Sequence, residues 1–138
     1  NMVVENISGY SSGARGVVEV SDGTRNIVIR NVYAESCLYG IDLQDHHKQG
    51  PGQSNRDILI QGVFVNNCSY AIRGNRSSVQ GHRNLTIRDV TKGSLGKCAI
   101  SIANTKGVTL DNIRIPGEDV SFHNCSGIIY ESRPWADD

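Results

Sequence analysis

The sequence predicts an all-β chain built as a parallel β-solenoid of about five coils. Three observations carry this: a recurring strand phrase, a second strand phrase interleaved with it, and a turn-rich, Leu-poor composition. The first series aligns NMVVENI (Asn1–Ile7), NIVIRNV (Asn26–Val32), DILIQGV (Asp57–Val63), NLTIRDV (Asn84–Val90) and GVTLDNI (Gly107–Ile113), at offsets of 25, 31, 27 and 23 residues. The second series is VVEVSD (Val17–Asp22), GIDLQD (Gly40–Asp45), AIRGNR (Ala71–Arg76), AISIAN (Ala99–Asn104) and GIIYES (Gly127–Ser132). Apolar and polar residues alternate with period two in both, as in a strand with one buried face. Leucine-rich repeats are the competing reading, but their leucine spacing is absent.

The alternation assigns side chains to faces. In the first series Ile27, Ile29, Ile58, Ile60, Leu85, Ile87, Val108 and Leu110 point inward. In the second, Ile41, Ile72, Ile100 and Ile128 stack inside. Asn6, Asn31, Asp89 and Asn112 fall into one column of turn positions, with Gly62 as its exception. Stacked Asn side chains can hydrogen-bond along such a column. The phrase Cys-x-Tyr-small-Ile occurs at Cys37 and again at Cys68, with Cys98 and Cys125 near the same point of later coils. No Cys-x-x-Cys pair occurs among the four cysteines, which argues against zinc. Four reduced thiols packed as small apolar side chains are expected, with the phrase as core.

Bulk properties bound the function. The chain has 138 residues, with 14 Lys and Arg balancing 14 Asp and Glu, so no overall field selects nucleic acid or an anionic membrane. No apolar run approaches the length of a transmembrane helix. Residues 1–132 are expected to form one solenoid segment and 133–138 a polar tail, flanked by further coils of a longer chain.

These phrases resemble the pectate-lyase-like superfamily of right-handed, single-stranded parallel β-helices. The likeness lies in the Asn-Ile-x-Ile-x-Asn-Val strand, the Cys-x-x-Gly-Ile second strand and the variable coil lengths, over about residues 1 to 132. The stretch GVVEVSDGTRNIVIRNVYAESCLYGIDL is similar to the enzymatic β-helices of bacteriophage tailspikes. The resemblance implies a carbohydrate-active protein that is secreted, on a cell surface or on a virion, and a homotrimer if it follows the tailspikes. Superfamily members include lyases, hydrolases, epimerases and inert adhesins, so the fold does not fix the activity.

The candidate site lies where the two copies of the cysteine phrase diverge. Pairing the second-series strands puts Glu19, Asp42, Arg73 and Ser101 in one outward column. Neighbouring columns hold Ser21, Gln44 and Asn75, then Asp22, Asp45, Arg76 and Asn104. His46, His47 and Lys48 open the longest insertion, and His82 and Arg83 follow a second one. Expected catalytic groups are Asp42, Asp45, His46, Glu19 and Asp22; expected ligand-binding groups are Arg73, Arg76, His47, Lys48 and His82. Carboxyls on adjacent rungs could serve a glycosidase as acid and as base or nucleophile. In a lyase, Arg73, Arg76 or a divalent cation such as calcium would neutralise a uronate while a base such as His46 takes the adjacent proton. No cofactor is expected otherwise. The expected partner is an extended polysaccharide, with neither nucleic acid nor membrane; the alternative is a noncatalytic adhesin or fibre segment.

Overall fold

In the computed structural model, which describes residues 1–44, 54–74 and 81–132, eleven strands form two parallel sheets. The odd strands are β1 (Met2–Tyr10), β3 (Arg25–Glu35), β5 (Asn55–Asn66), β7 (His82–Lys92), β9 (Thr105–Arg114) and β11 (Ser126–Tyr130), hydrogen-bonded in that order. The even strands are β2 (Gly16–Ser21), β4 (Tyr39–Gln44), β6 (Tyr70–Gly74), β8 (Ala99–Ala103) and β10 (Val120–His123), ordered likewise. The chain therefore crosses to the other sheet at every connection, and each repeat adds one strand to each sheet. One turn of 3₁₀ helix, Gly117–Asp119, precedes β10. Among the described residues no helix is long and apolar enough to cross a membrane.

The period-two pattern builds the core. Ile27, Ile58, Leu85 and Val108 are partners in register, as are Ile29, Ile60, Ile87 and Leu110, and all eight are buried. Across from them, Ile41, Ile72 and Ile100 stack and are fully buried. Burying each such side chain contributes roughly 1.5–3 kcal/mol, so these files dominate the stability of the stack.

The long odd strands β1 to β9 share a bend at one left-handed position, and β3 to β9 have a second left-handed residue near their start, at Asn26, Asp57, Asn84 and Gly107. Asn6, Asn31, Asp89 and Asn112 have φ of 58°, 56°, 58° and 51°, a region Asn and Asp tolerate better than other non-glycine residues. Their side chains pair along the stack: Asn31 Nδ2 donates to Asn6 Oδ1 (3.2 Å) and Asn112 Nδ2 to Asp89 Oδ1 (2.8 Å). Gly62 is the exception for a steric reason. At φ 79°, a Cβ there would stand 2.8 Å from Asn31 Oδ1.

Two sequence expectations fail at the last repeat. The fifth even strand is Val120–His123, with Val120 opposite Ile100, whereas Gly127–Ser132 was expected there. The Ser126–Tyr130 segment instead joins the odd sheet, where Ile128 meets Val108 and stays 37% exposed. Period-two alternation marks a strand without saying which sheet takes it, and the final repeat is the shortest. The Asn124 amide, donating to Asn104 Oδ1 at 2.9 Å, marks the corner that closes it. Cys125 consequently follows β10 and bonds the Ile102 carbonyl, away from the Cys37–Cys68–Cys98 file; it is half-buried, while those three are buried.

Candidate functional site on the even sheet

The register of β2, β4, β6 and β8 brings together Glu19, Asp42, Arg73 and Ser101 as successive partners, the column expected from the sequence. Its centre is a bidentate ion pair. Arg73 Nε donates to Asp42 Oδ1 at 2.8 Å and Arg73 Nη2 to Oδ2 at 2.9 Å. The Gln44 amide donates to Asp42 Oδ2 and, at 3.0 Å, to Glu19 Oε1, so one side chain ties the two carboxylates together. Gln44 stands on the same face as Asp42 because it is two residues along the strand.

Burial separates the two acids. Asp42 was expected on a solvent-facing column, yet it is fully buried, and both of its oxygens are engaged by Arg73 and Gln44. Glu19 is exposed. Arg73 keeps a quarter of its side chain accessible, at 26%. The Asp42 hydrogen bonds, outweighing burial, raise the Arg73 pKa above its ordinary value.

Sequence reasoning treated Cys-x-Tyr-small-Ile as core and missed its tyrosines. The Arg73 guanidinium carbon lies 4.8 Å from the Tyr39 ring centroid and 5.8 Å from that of Tyr70, both within cation–π range. Tyr39 and Tyr70 are themselves partners across β4 and β6. The signal was present, since Tyr recurs at the same place in both copies. The small residue of the phrase has its own cause: a Cβ on Gly40 would come within 2.7 Å of the Ala71 carbonyl. Burial, then the charges of Asp42 and Glu19, raises the pKa of the Tyr39 phenol and keeps it neutral.

The other expected residues fall elsewhere. Asp22 lies just past β2, at φ 57°, with its amide donating to the Gln44 carbonyl. His82 was expected at a surface corner beside an insertion but is buried, only 2% exposed. Its Nδ1 lies 3.2 Å from Asn55 Nδ2, and the same Asn55 caps the preceding corner by accepting from the Gly23 and Thr24 amides. His82 begins β7 in register with Asn55 and Thr105, inside the corner file. Asp45, His46, His47, Lys48 and Arg76 lie outside the described residues. Among the described residues no group of three or more His, Cys, Asp or Glu side chains is arranged to hold a metal ion.

A groove of about 520 Å³ adjoins this face at Tyr70 and runs across successive repeats past Ser36, Asn67 and Gly96. Polar, left-handed corner residues line it; Asn67 Nδ2 donates to Ser36 Oγ at 3.0 Å. An extended ligand lying across the strands would meet the groove and Tyr70 without entering a closed pocket. No protein family, no curated protein and no solved structure matches this chain.

Proposed function

We propose that the chain is part of a right-handed parallel β-helix that binds and cleaves an extended polysaccharide on the outer face of its even sheet. The alternation of strands between two parallel sheets supports the β-helix, and the strong right-handed preference of parallel crossovers supports its hand. The observation that carries the function is the unequal environment of two adjacent carboxylates. Asp42 is buried and engaged on both oxygens by Arg73, whereas Glu19, its neighbour in register, is exposed. The difference gives the two acids different tasks: the exposed one can reach a substrate, and the buried, paired one can hold the groups around it.

In this reading Glu19 is the group that meets the sugar. Asp42 positions Arg73 and Gln44, and the tyrosines flank the guanidinium. Asp42 is thereby shifted from the chemical centre to a support for it. The test is release of reducing ends, or of unsaturated uronate absorbance, from a panel of neutral and acidic glycans. Turnover of one glycan supports the reading, and none across the panel contradicts it. A second reading, a noncatalytic glycan-binding or fibre segment, is favoured by the engagement of both Asp42 oxygens, which leaves that carboxylate no role in proton transfer.

A further inference from the structure

The N-terminal ends of β3, β5, β7 and β9 carry a column of cations. Arg25 pairs in register with Arg56, Arg56 with Arg83, and Arg83 with Lys106, on β3, β5, β7 and β9. Strand spacing sets successive backbones about 4.8 Å apart, so four like charges occupy about 14 Å in single file. Arg25, Arg83 and Lys106 are exposed and Arg56 is half-buried. Like charges placed directly opposite each other across strands destabilise a sheet.

The next outward charged column of the same sheet shows how this chain otherwise handles the problem. It runs Glu5, Arg30, Gln61, Arg88 and Asp111, with ion pairs Arg30–Glu5 and Arg88–Asp111 at 3.9 Å and Arg88–Glu131 at 3.1 Å. Among the described residues no acid forms an ion pair with Arg25, Arg56, Arg83 or Lys106. The nearest acid in sequence, Asp57, accepts from Asn84 at 2.7 Å. The cation column also stands beside a fixed support: the preceding corner file, Asn55, His82 and Thr105, is buried.

We infer that this column is a second binding surface, on the odd sheet, for an extended anionic polysaccharide. A uronate chain presents one carboxylate per sugar ring, a step of the same order as the strand spacing, so one cation can meet each charge. Single-stranded nucleic acid fits less well, because such sites pair cations with aromatic platforms for the bases. The outward neighbours here are Val28, Leu59, Thr86 and Thr109. The surface does not depend on cleavage at Glu19, and either proposal can fail alone.

The experiment is calorimetric titration at low salt with a defined oligogalacturonate, a neutral maltooligosaccharide of equal length, an oligothymidylate, and phosphatidylserine vesicles. The oligogalacturonate should bind, and its binding should weaken steeply with added salt as exposed charges are screened. The double variant Arg56→Gln/Arg83→Gln should bind at least tenfold more weakly and unfold at a higher urea concentration, since a repulsion is relieved. Arg30→Gln/Arg88→Gln removes the same charge from the compensated column and should change binding less than threefold. Absence of oligogalacturonate binding, equal losses in the two double variants, or tighter binding of the oligothymidylate or vesicles would overturn the inference.

Discussion

Asp42 on β4 and Arg73 on β6 face each other in register, and the guanidinium meets both carboxylate oxygens at 2.8 and 2.9 Å. Asp42 is fully buried, so its charge relies on this partner and on Gln44. Removing one member of a buried pair costs roughly 3–5 kcal/mol, because the other charge is left uncompensated. Arg73 is partly accessible, which lets water enter its vacated place, so Arg73→Met should cost about 2–3 kcal/mol. Replacing both members by apolar residues, Asp42→Leu/Arg73→Met, should recover most of that loss. Urea midpoints of the wild type, both single variants and the double variant check this; strictly additive losses would contradict it.

The asparagine column makes a second prediction. Asn31→Ala puts an alanine at φ 56° and deletes the amide that reaches Asn6, for a cost of about 1–2 kcal/mol. Asn31→Gly loses the same hydrogen bond but suits the backbone, and should cost clearly less. Chemical denaturation separates the two; equal losses would mean that backbone conformation is not what selects Asn there.

Thiol chemistry gives a third. All four cysteines are free, and only Cys125 is partly accessible. Burial is the first cause that raises the Cys68 pKa, which keeps its thiol protonated and slow to react. Alkylation of the native protein followed by mass spectrometry should label Cys125 first and leave Cys37, Cys68 and Cys98 protected. After denaturation without reductant, four thiols should react. Early labelling of Cys68 would contradict the packing of that file.

A fourth concerns alkaline pH. Tyr39 has a folded-state pKa above the 10.0 of an ordinary tyrosine, so the folded state holds the phenolic proton more tightly than the unfolded chain. Its contribution is therefore intact below pH 10 and is lost as pH rises from there through the folded pKa. Stability should decline above pH 10, and Tyr39→Phe should remove part of that decline. Urea midpoints across this range measure it, and identical slopes for the two proteins would refute the assignment.

The inward files and the Glu19–Asp42–Arg73–Ser101 column were legible because a buried face imposes period two and repetition aligns the copies. The last repeat was not, since alternation alone cannot say whether Val120–His123 or Gly127–Ser132 joins the even sheet. The acids Glu19 and Asp42 were legible as neighbours, but their unequal burial was not. That difference arises from Arg73 and the surrounding packing, which are long-range contacts. His82 looked like a loop residue beside an insertion, yet its register with Asn55 carries it inside. The Arg25–Lys106 column escaped notice because it lies one residue before the aligned phrases, which open at Asn26, Asp57, Asn84 and Gly107.

The most direct test of the account is turnover by Glu19→Gln on a glycan that the wild-type chain cleaves. The variant should fold with an unchanged urea midpoint, because Glu19 is exposed, and should lose at least a hundredfold in kcat with little change in KM. Full activity in Glu19→Gln, or no cleavage of any glycan by the wild type, would contradict the assignment of this face to catalysis.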